Sequence, residues 1–324
     1  TYLFITALFV LIFMSCQSRK KNNAEKQNEI ELVAEKQLVF PLDEQTYYLS
    51  KSMFQFEENG KEYLHFENTR KSLYDIVIFD IENKQIAKRI PLHKTGPNGL
   101  PAVYGSRPSP DSKQILISQN NIGRLSTINN QGEVVHNYPV KTPEGRFTTF
   151  FFCSYYNAPA FVKDSCIFLN QGIFKPNMKR EDWPQTHMFA SQNLETGKFE
   201  WVPIFYPPIF KEEYENIDGG YGFSYDYNYK ENRLVCGFFG YDSLMVTDDL
   251  KHIRWYNAKS KYLKSMKPKL GNAMAGINSI IEFCEAPMYW HIMYDKYRDV
   301  YYRFAEMPYK LASNESPYDE PKGK

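Results

Sequence analysis

A polar turn followed by a short β-prone run recurs five times in this chain, and that recurrence constrains the fold more than any other feature. It reads QFEENGKEYLHF at 55–66, RPSPDSKQILIS at 107–118, FVKDSCIFLN at 161–170, YNYKENRLVCGFF at 227–239 and MYDKYRDVYYRF at 293–304. Each turn draws on Asn, Asp, Gly, Ser or Lys, residues that tolerate or stabilise a tight reversal between strands. With Gly60, Ser112, Ser165, Asn232 and Tyr297 as markers, the spacings are 52, 53, 67 and 65 residues. A second hairpin signal follows each of the first four, at 76–92, 125–140, 188–204 and 244–256.

Two hairpins per repeat make four antiparallel strands. A four-stranded unit cannot bury both of its faces alone, so such units stack around an axis, and the expected fold is an all-β propeller of four-stranded antiparallel blades. Aromatic residues, 16% of the chain and mostly Tyr (25) and Phe (24), suit half-buried pleated surfaces and favour the same class. A pair of open β-sandwiches is the rival architecture and explains the even hairpin spacing less well. The fifth repeat shows only its first hairpin, while KQLVFPL (36–42) is a lone strand candidate. Pairing the two ends would lock a ring and cover a sticky edge. The expectation is six blades, with seven as the alternative, and a ring whose last part lies beyond Lys324.

The chain starts at Thr1, lacks a basic stretch before its apolar run, and ends in YDEPKGK without a closing element, so it reads as a fragment at both ends. Apolar character runs from Tyr2 to Met14. As a helix that is about 20 Å, short of the roughly 30 Å hydrocarbon core but suited to a secretory signal. Phe13-Met14-Ser15-Cys16 follows, and polarity switches abruptly after it. The stretch resembles a bacterial lipobox, with small Ser15 before the cysteine and Phe13 where Leu is usual. The expected layout is a signal peptide over 1–15, a lipidated Cys16 with a polar tether over 16–36, and a propeller over 37–324. The rival is a cysteine lying by chance in an ordinary signal peptide. Acylation of Cys16 would make a membrane its first partner.

The lipobox, the tyrosine-rich repeats and the GPNG stretch at 96–99 resemble the Bacteroidota lipoproteins of the domain-of-unknown-function 4221 family. They are similar more widely to six-bladed propellers related to TolB and NHL proteins. The resemblance implies a propeller and an envelope location, and it carries no catalytic residues. In lipoproteins of that kind, acidic residues after the cysteine accompany surface export. Arg19, Lys20 and Lys21 stand there instead, which implies an outer-membrane anchor facing the periplasm, with the cell surface as the alternative.

Insertions in the repeats are one-sided. The link from second to third strand in the third repeat runs over 171–187, and the links between repeats include 206–223 and 257–279. The turns from first to second and from third to fourth strand are nearly all tight. In a propeller the long links share one rim, and loops on a rigid scaffold are where function concentrates. Candidates for that binding face are Gly96, Asn98, Gly99, Tyr104, Arg107, Trp183, Tyr221 and Tyr225. For Gly96 to Gly99 a Pro-Gly turn between blades is favoured over a phosphate loop, since no helix follows. Interblade packing is favoured over ligand stacking for the aromatics of 218–229.

Other chemistry is sparse. Lys plus Arg number 39 against 38 for Asp plus Glu, a net charge of +1, which leaves no electrostatic footprint for nucleic acid. No HExxH, Walker loop, GxSxG elbow or EF-hand loop occurs, so neither a cofactor nor a metal is expected. Cys153, Cys166, Cys236 and Cys284 have uninformative spacings, and buried thiols are the default reading. Two functions remain: a non-catalytic module binding a glycan, peptide or envelope protein, or a metal-dependent hydrolase or lyase. The second would need carboxylates and amides such as Asn157, Asp226 and Asn228 on the central channel.

Overall fold

The computed structural model describes residues 38–47, 53–68, 74–109, 111–119, 123–141, 158–170, 184–207, 223–263 and 287–307. Two units divide the chain between Val39 and Phe40. Of the first unit only Leu38 and Val39 are described, both exposed. All five sheets belong to the second unit. Sheet 1 comprises β1 (Met53–Glu58), β2 (Lys61–Asn68), β3 (Asp75–Asp80) and β4 (Gln85–Pro91). Sheet 2 comprises β5 (Gly105–Pro108), β6 (Ile115–Gln119), β7 (Arg124–Ile128) and β8 (Val134–Pro139). Sheet 3 follows with β9 (Phe161–Lys163), β10 (Cys166–Asn170), β11 (Phe189–Asn193) and β12 (Phe199–Trp201). Sheet 4 has β13 (Phe223–Asn228), β14 (Arg233–Phe238), β15 (Ser243–Thr247) and β16 (Arg254–Asn257). Sheet 5 is a hairpin of β17 (Met288–Asp295) and β18 (Val300–Glu306). Every sheet is an antiparallel meander in chain order, as in propeller blades.

The turns form where short-range chemistry dictates. Asn59 and Gly60 join β1 to β2 with φ of 52° and 74°, and Asp164 and Ser165 join β9 to β10 with φ of 49° and 60°. Two consecutive left-handed residues match the natural twist of a hairpin. Ser112 and Asn232 are left-handed too, so four of the five marker residues sit at the bend itself; in the last hairpin that place belongs to Asp299. The third-to-fourth-strand turns share a second device. Asn129 Oδ1 accepts the N–H groups of Gln131 and Glu133, Asn193 Oδ1 those of Glu195 and Thr196, and Asp249 Oδ1 those of Lys251 and His252. Asp80 does the same for Asn83 at 2.8 Å. Short Asx side chains thus supply the acceptors that a reversing backbone lacks.

Strand alternation feeds two faces at once. Ile115 and Ile117 of β6 pack with Ile76, Ile78 and Ile90 of sheet 1, whereas Leu116 between them packs with Ile167, Leu169 and Ala190 of sheet 3. In β14, Leu234, Cys236 and Phe238 join Phe161, Phe189 and Tyr225, while Val235 joins Val246 and Ile292. Sheets buried on both faces read as near-continuous apolar runs. Each fully buried aliphatic side chain here contributes ~1.5–3 kcal/mol. The fourth strands are the wet edge, and all four residues of β16 are exposed.

Two expectations are corrected. The described residues form four four-stranded blades and a two-stranded fifth sheet, not six or seven blades. The four repeats that carry both hairpin signals each form a complete sheet, and the fifth, with one signal, forms the two-stranded sheet. Residues 38–42 are also not a strand. Pro41 offers no N–H to a ladder, and Asp43 bends the chain by accepting the N–H groups of Gln45 and Thr46. The segment is tied to sheet 1 instead. The Phe40 ring lies 5.5 Å from that of Phe79, Arg89 bridges Asp43 and Asp75 at 2.6 Å each, and Asn68 donates to Gln45 O.

Candidate functional site

The link from β4 to β5 is a closed spacer. Gly96 has φ of 87°, Gly99 N–H bonds to Gly96 O at 2.9 Å, and Leu100 N–H to His93 O at 2.6 Å. A Cβ on Gly99 would stand 2.9 Å from the Gly96 carbonyl oxygen. Asn98 Oδ1 accepts the Val134 N–H of β8, and Arg124 donates to Gly99 O. These donors and acceptors tie one blade to the next rather than cradle a phosphate. Tyr104, 42% exposed, extends the β5–β6 pairing through its N–H.

Tyr225 is not on a binding face. It is 0% exposed, its hydroxyl donates to Ala158 O at 3.1 Å, and its ring meets Phe189 at 5.0 Å, edge to face. Trp183, Tyr221, Asn157 and Cys16 lie outside the described residues, as do Cys153, Cys284 and most of the long links. No described helix is long and apolar enough to cross a membrane.

Arg107 sits not on a loop rim but inside β5, 5% exposed. Its guanidinium carbon lies 4.4 Å from the centre of the Phe54 ring in β1, and Nη2 is 3.5 Å from the Tyr229 hydroxyl just after β13. That hydroxyl also accepts the Val162 N–H of β9 at 3.3 Å. The guanidinium of β5 thus meets β1 and the residue that follows β13, and β9 joins them through the Tyr229 hydroxyl. Beside it, His65 Nε2 and Ser106 Oγ are 2.6 Å apart, joining β2 to β5. Next along, Asp226 of β13 accepts the N–H of Tyr227 on Oδ1 and that of Tyr294 on Oδ2, both at 2.8 Å.

The charges in this cluster are shifted. Burial pushes the Asp226 carboxyl up to about 6, against the two N–H bonds and the Arg107 charge that favour its ionised form. Burial lowers His65 to about 3, and the Arg107 charge adds to that. At neutral pH His65 is thus an uncharged imidazole beside a permanent cation. Sequence reasoning named Arg107 but put it on the loop side, because GSRP carries no β signal. It passed over His65, whose only mark was its place near the end of a hairpin run.

The family described as a domain of unknown function, DUF4221, matches residues 29–322. The chain belongs to the DUF4221 family. A crystal structure of a DUF4221 member from Bacteroides vulgatus is 82% identical with a TM-score of 0.84, over 92% of this chain and 82% of that one. A putative exported protein from Bacteroides fragilis is 10% identical with a TM-score of 0.50, over 82% of this chain and 74% of that one, and shares the fold. No curated protein matches the chain.

In this DUF4221 chain the two described residues suggested for a channel metal, Asp226 and Asn228, are otherwise engaged. Asn228 Oδ1 closes the β13–β14 turn by accepting the N–H groups of Lys230 and Glu231. Both Asp226 oxygens take backbone N–H groups. Among the described residues no group of three or more His, Cys, Asp or Glu side chains is arranged to hold a metal. Cys166 and Cys236 are in no disulfide, and burial raises both thiols, so they rest protonated.

Proposed function

We propose that this protein is a non-catalytic binding module, anchored by lipid at Cys16 to the periplasmic side of the outer membrane. Its long-link rim receives a glycan, peptide or protein of the cell envelope. One observation carries the reading. The turns from first to second and from third to fourth strand all stay within two to six residues, whereas the long links, 140–160, 171–188, 202–222 and 258–287, all fall among the second-to-third-strand and sheet-to-sheet links, beside shorter ones at 69–74, 92–104, 120–123 and 239–242. In a propeller these long links open on one side, and a rigid stack of sheets holds them there.

The test is capture. The chain, probed against glycan and peptide arrays and against solubilised envelope protein, retains a ligand, and shortening the 258–287 link reduces retention. A chain that captures nothing, or that captures equally well with the link shortened, removes the reading. The anchor is tested separately: Cys16→Ser releases the protein from membranes to the soluble fraction, and unchanged membrane retention contradicts lipidation there.

A further inference from the structure

We propose that Arg107 anchors a small organic carboxylate between Phe54 of β1 and Tyr229, just after β13. A guanidinium has five N–H donors. Arg107 is 5% exposed, yet among the described residues its side chain makes a single hydrogen bond, the 3.5 Å contact to Tyr229, and Nε has no partner. Among the described residues no carboxylate pairs with it, and each Asp226 oxygen accepts a backbone N–H instead. A buried cation with its donors unspent is costly, and a protein keeps one where the donors have work to do.

The surroundings select the ligand. Phe54 covers one face of the guanidinium, leaving the edge that grips a carboxylate with two parallel bonds. Tyr229 is 51% exposed, so the cluster reaches solvent on that side. Its oxygen accepts from Val162 and Arg107, and its own proton goes to no described residue, adding a donor next to Arg107. The Tyr229 ring meets Tyr227 at 5.0 Å, and Tyr227 stacks on Phe161 at 4.3 Å, which gives the site an aromatic flank. The Asp226 carboxyl, near enough to feel the Arg107 charge, opposes a second negative charge. An aromatic monoanion fits; inorganic phosphate fits less well. Arg107 lies beside the short β5–β6 turn and Tyr229 in the short β13–β14 turn, so this site is tested apart from the proposed rim.

Calorimetric titration of the full chain tests the proposal, with benzoate, benzamide, inorganic phosphate, and the peptide Gly-Gly-Phe with its C-terminus free or amidated. Benzoate, or the free peptide, binds saturably, and its amide binds at least about tenfold more weakly. Arg107→Lys weakens the carboxylate by about tenfold or more through loss of the paired bonds. Tyr229→Phe, a change at a half-exposed ring that keeps the fold, weakens it about three- to tenfold by removing one hydrogen bond. Benzoate binding assigns the site to small acids; binding of the free peptide without benzoate assigns it to chain termini. The proposal is overturned if no carboxylate binds, if amides or phosphate bind as well, or if Tyr229→Phe and Arg107→Lys both leave affinity unchanged.

Discussion

Asp226 in β13 and Tyr294 in β17 are joined by a carboxyl that accepts a backbone N–H at 2.8 Å. Two residues earlier in each strand the motif repeats, with Ser224 Oγ accepting the Ile292 N–H at 2.9 Å. Side chains of one first strand thus serve as a ladder for the next, and sheet 5 is pinned to sheet 4 by buried polar contacts as well as by Ile292.

That ladder is pH-sensitive. The native Asp226 carboxyl titrates near 6 instead of 3.8. Between those values the folded state holds a proton that the unfolded chain has lost, so this group's contribution to stability falls as pH rises through that window. Asp226→Asn removes the titration. Urea unfolding at pH 4 to 7 then shows wild type losing on the order of 2 kcal/mol relative to the variant, allowing for solvent screening of a partly exposed residue. A constant difference across that range contradicts the assignment.

His65 works in the opposite sense. Its imidazole titrates near 3 in the fold and near 6.5 when free, so below 6.5 the unfolded chain gains a proton that the native state refuses. Stability from His65 is lost as pH falls from about 6.5 towards 3. His65→Gln, which keeps a polar group near Ser106, shows a shallower acid-side decline in melting temperature than wild type. Equal declines would mean the imidazole is not enclosed.

Gly132 has no room for a side chain. Its φ is 83°, and an added Cβ would come within 2.0 Å of Pro91 O, in the outer strand of the preceding sheet. Gly132→Ala destabilises by ~2 kcal/mol or more, since strain and overlap act together. Chemical denaturation measures this, and a loss under half a kilocalorie would show that the turn moves aside.

Arg303 is held by carbonyls. It donates to Asp242 O at 2.8 Å, Ala258 O at 3.1 Å, Phe238 O at 3.3 Å and Tyr241 O, and lies 3.3 Å from the centre of the Tyr289 ring. Arg303→Lys keeps the charge but cannot reach four acceptors at once, and costs ~2 kcal/mol. Faster amide exchange at Ile292 and Tyr294 reports the loosened hairpin; unchanged exchange places the loss elsewhere.

By contrast, Lys296 lies 3.0 Å from Glu62 and links sheet 5 to sheet 1, but 47% of its side chain is exposed. Lys296→Ala shifts stability by about 0.5 kcal/mol or less, an effect abolished in 1 M salt. A larger loss in calorimetry would make this contact a principal closure of the ring.

All nine hairpins could be read from the chain because their causes are local. A left-handed Asn59-Gly60 pair or an Asn193 side chain closing its own turn needs only residues within a few positions. The doubly buried strands could be read as well, from apolar runs such as ILIS at 115–118. The sequence by itself therefore determined the strand pairs and the meander within each described sheet. Only the tertiary structure decided how many four-stranded sheets the described residues complete and the place of 40–47 against sheet 1. It also decided that Arg107 meets Phe54 and Tyr229, 53 residues before it and 122 after it. Contacts across such distances depend on how sheets stack, and no turn chemistry or alternation near Arg107 records which remote strands will face it.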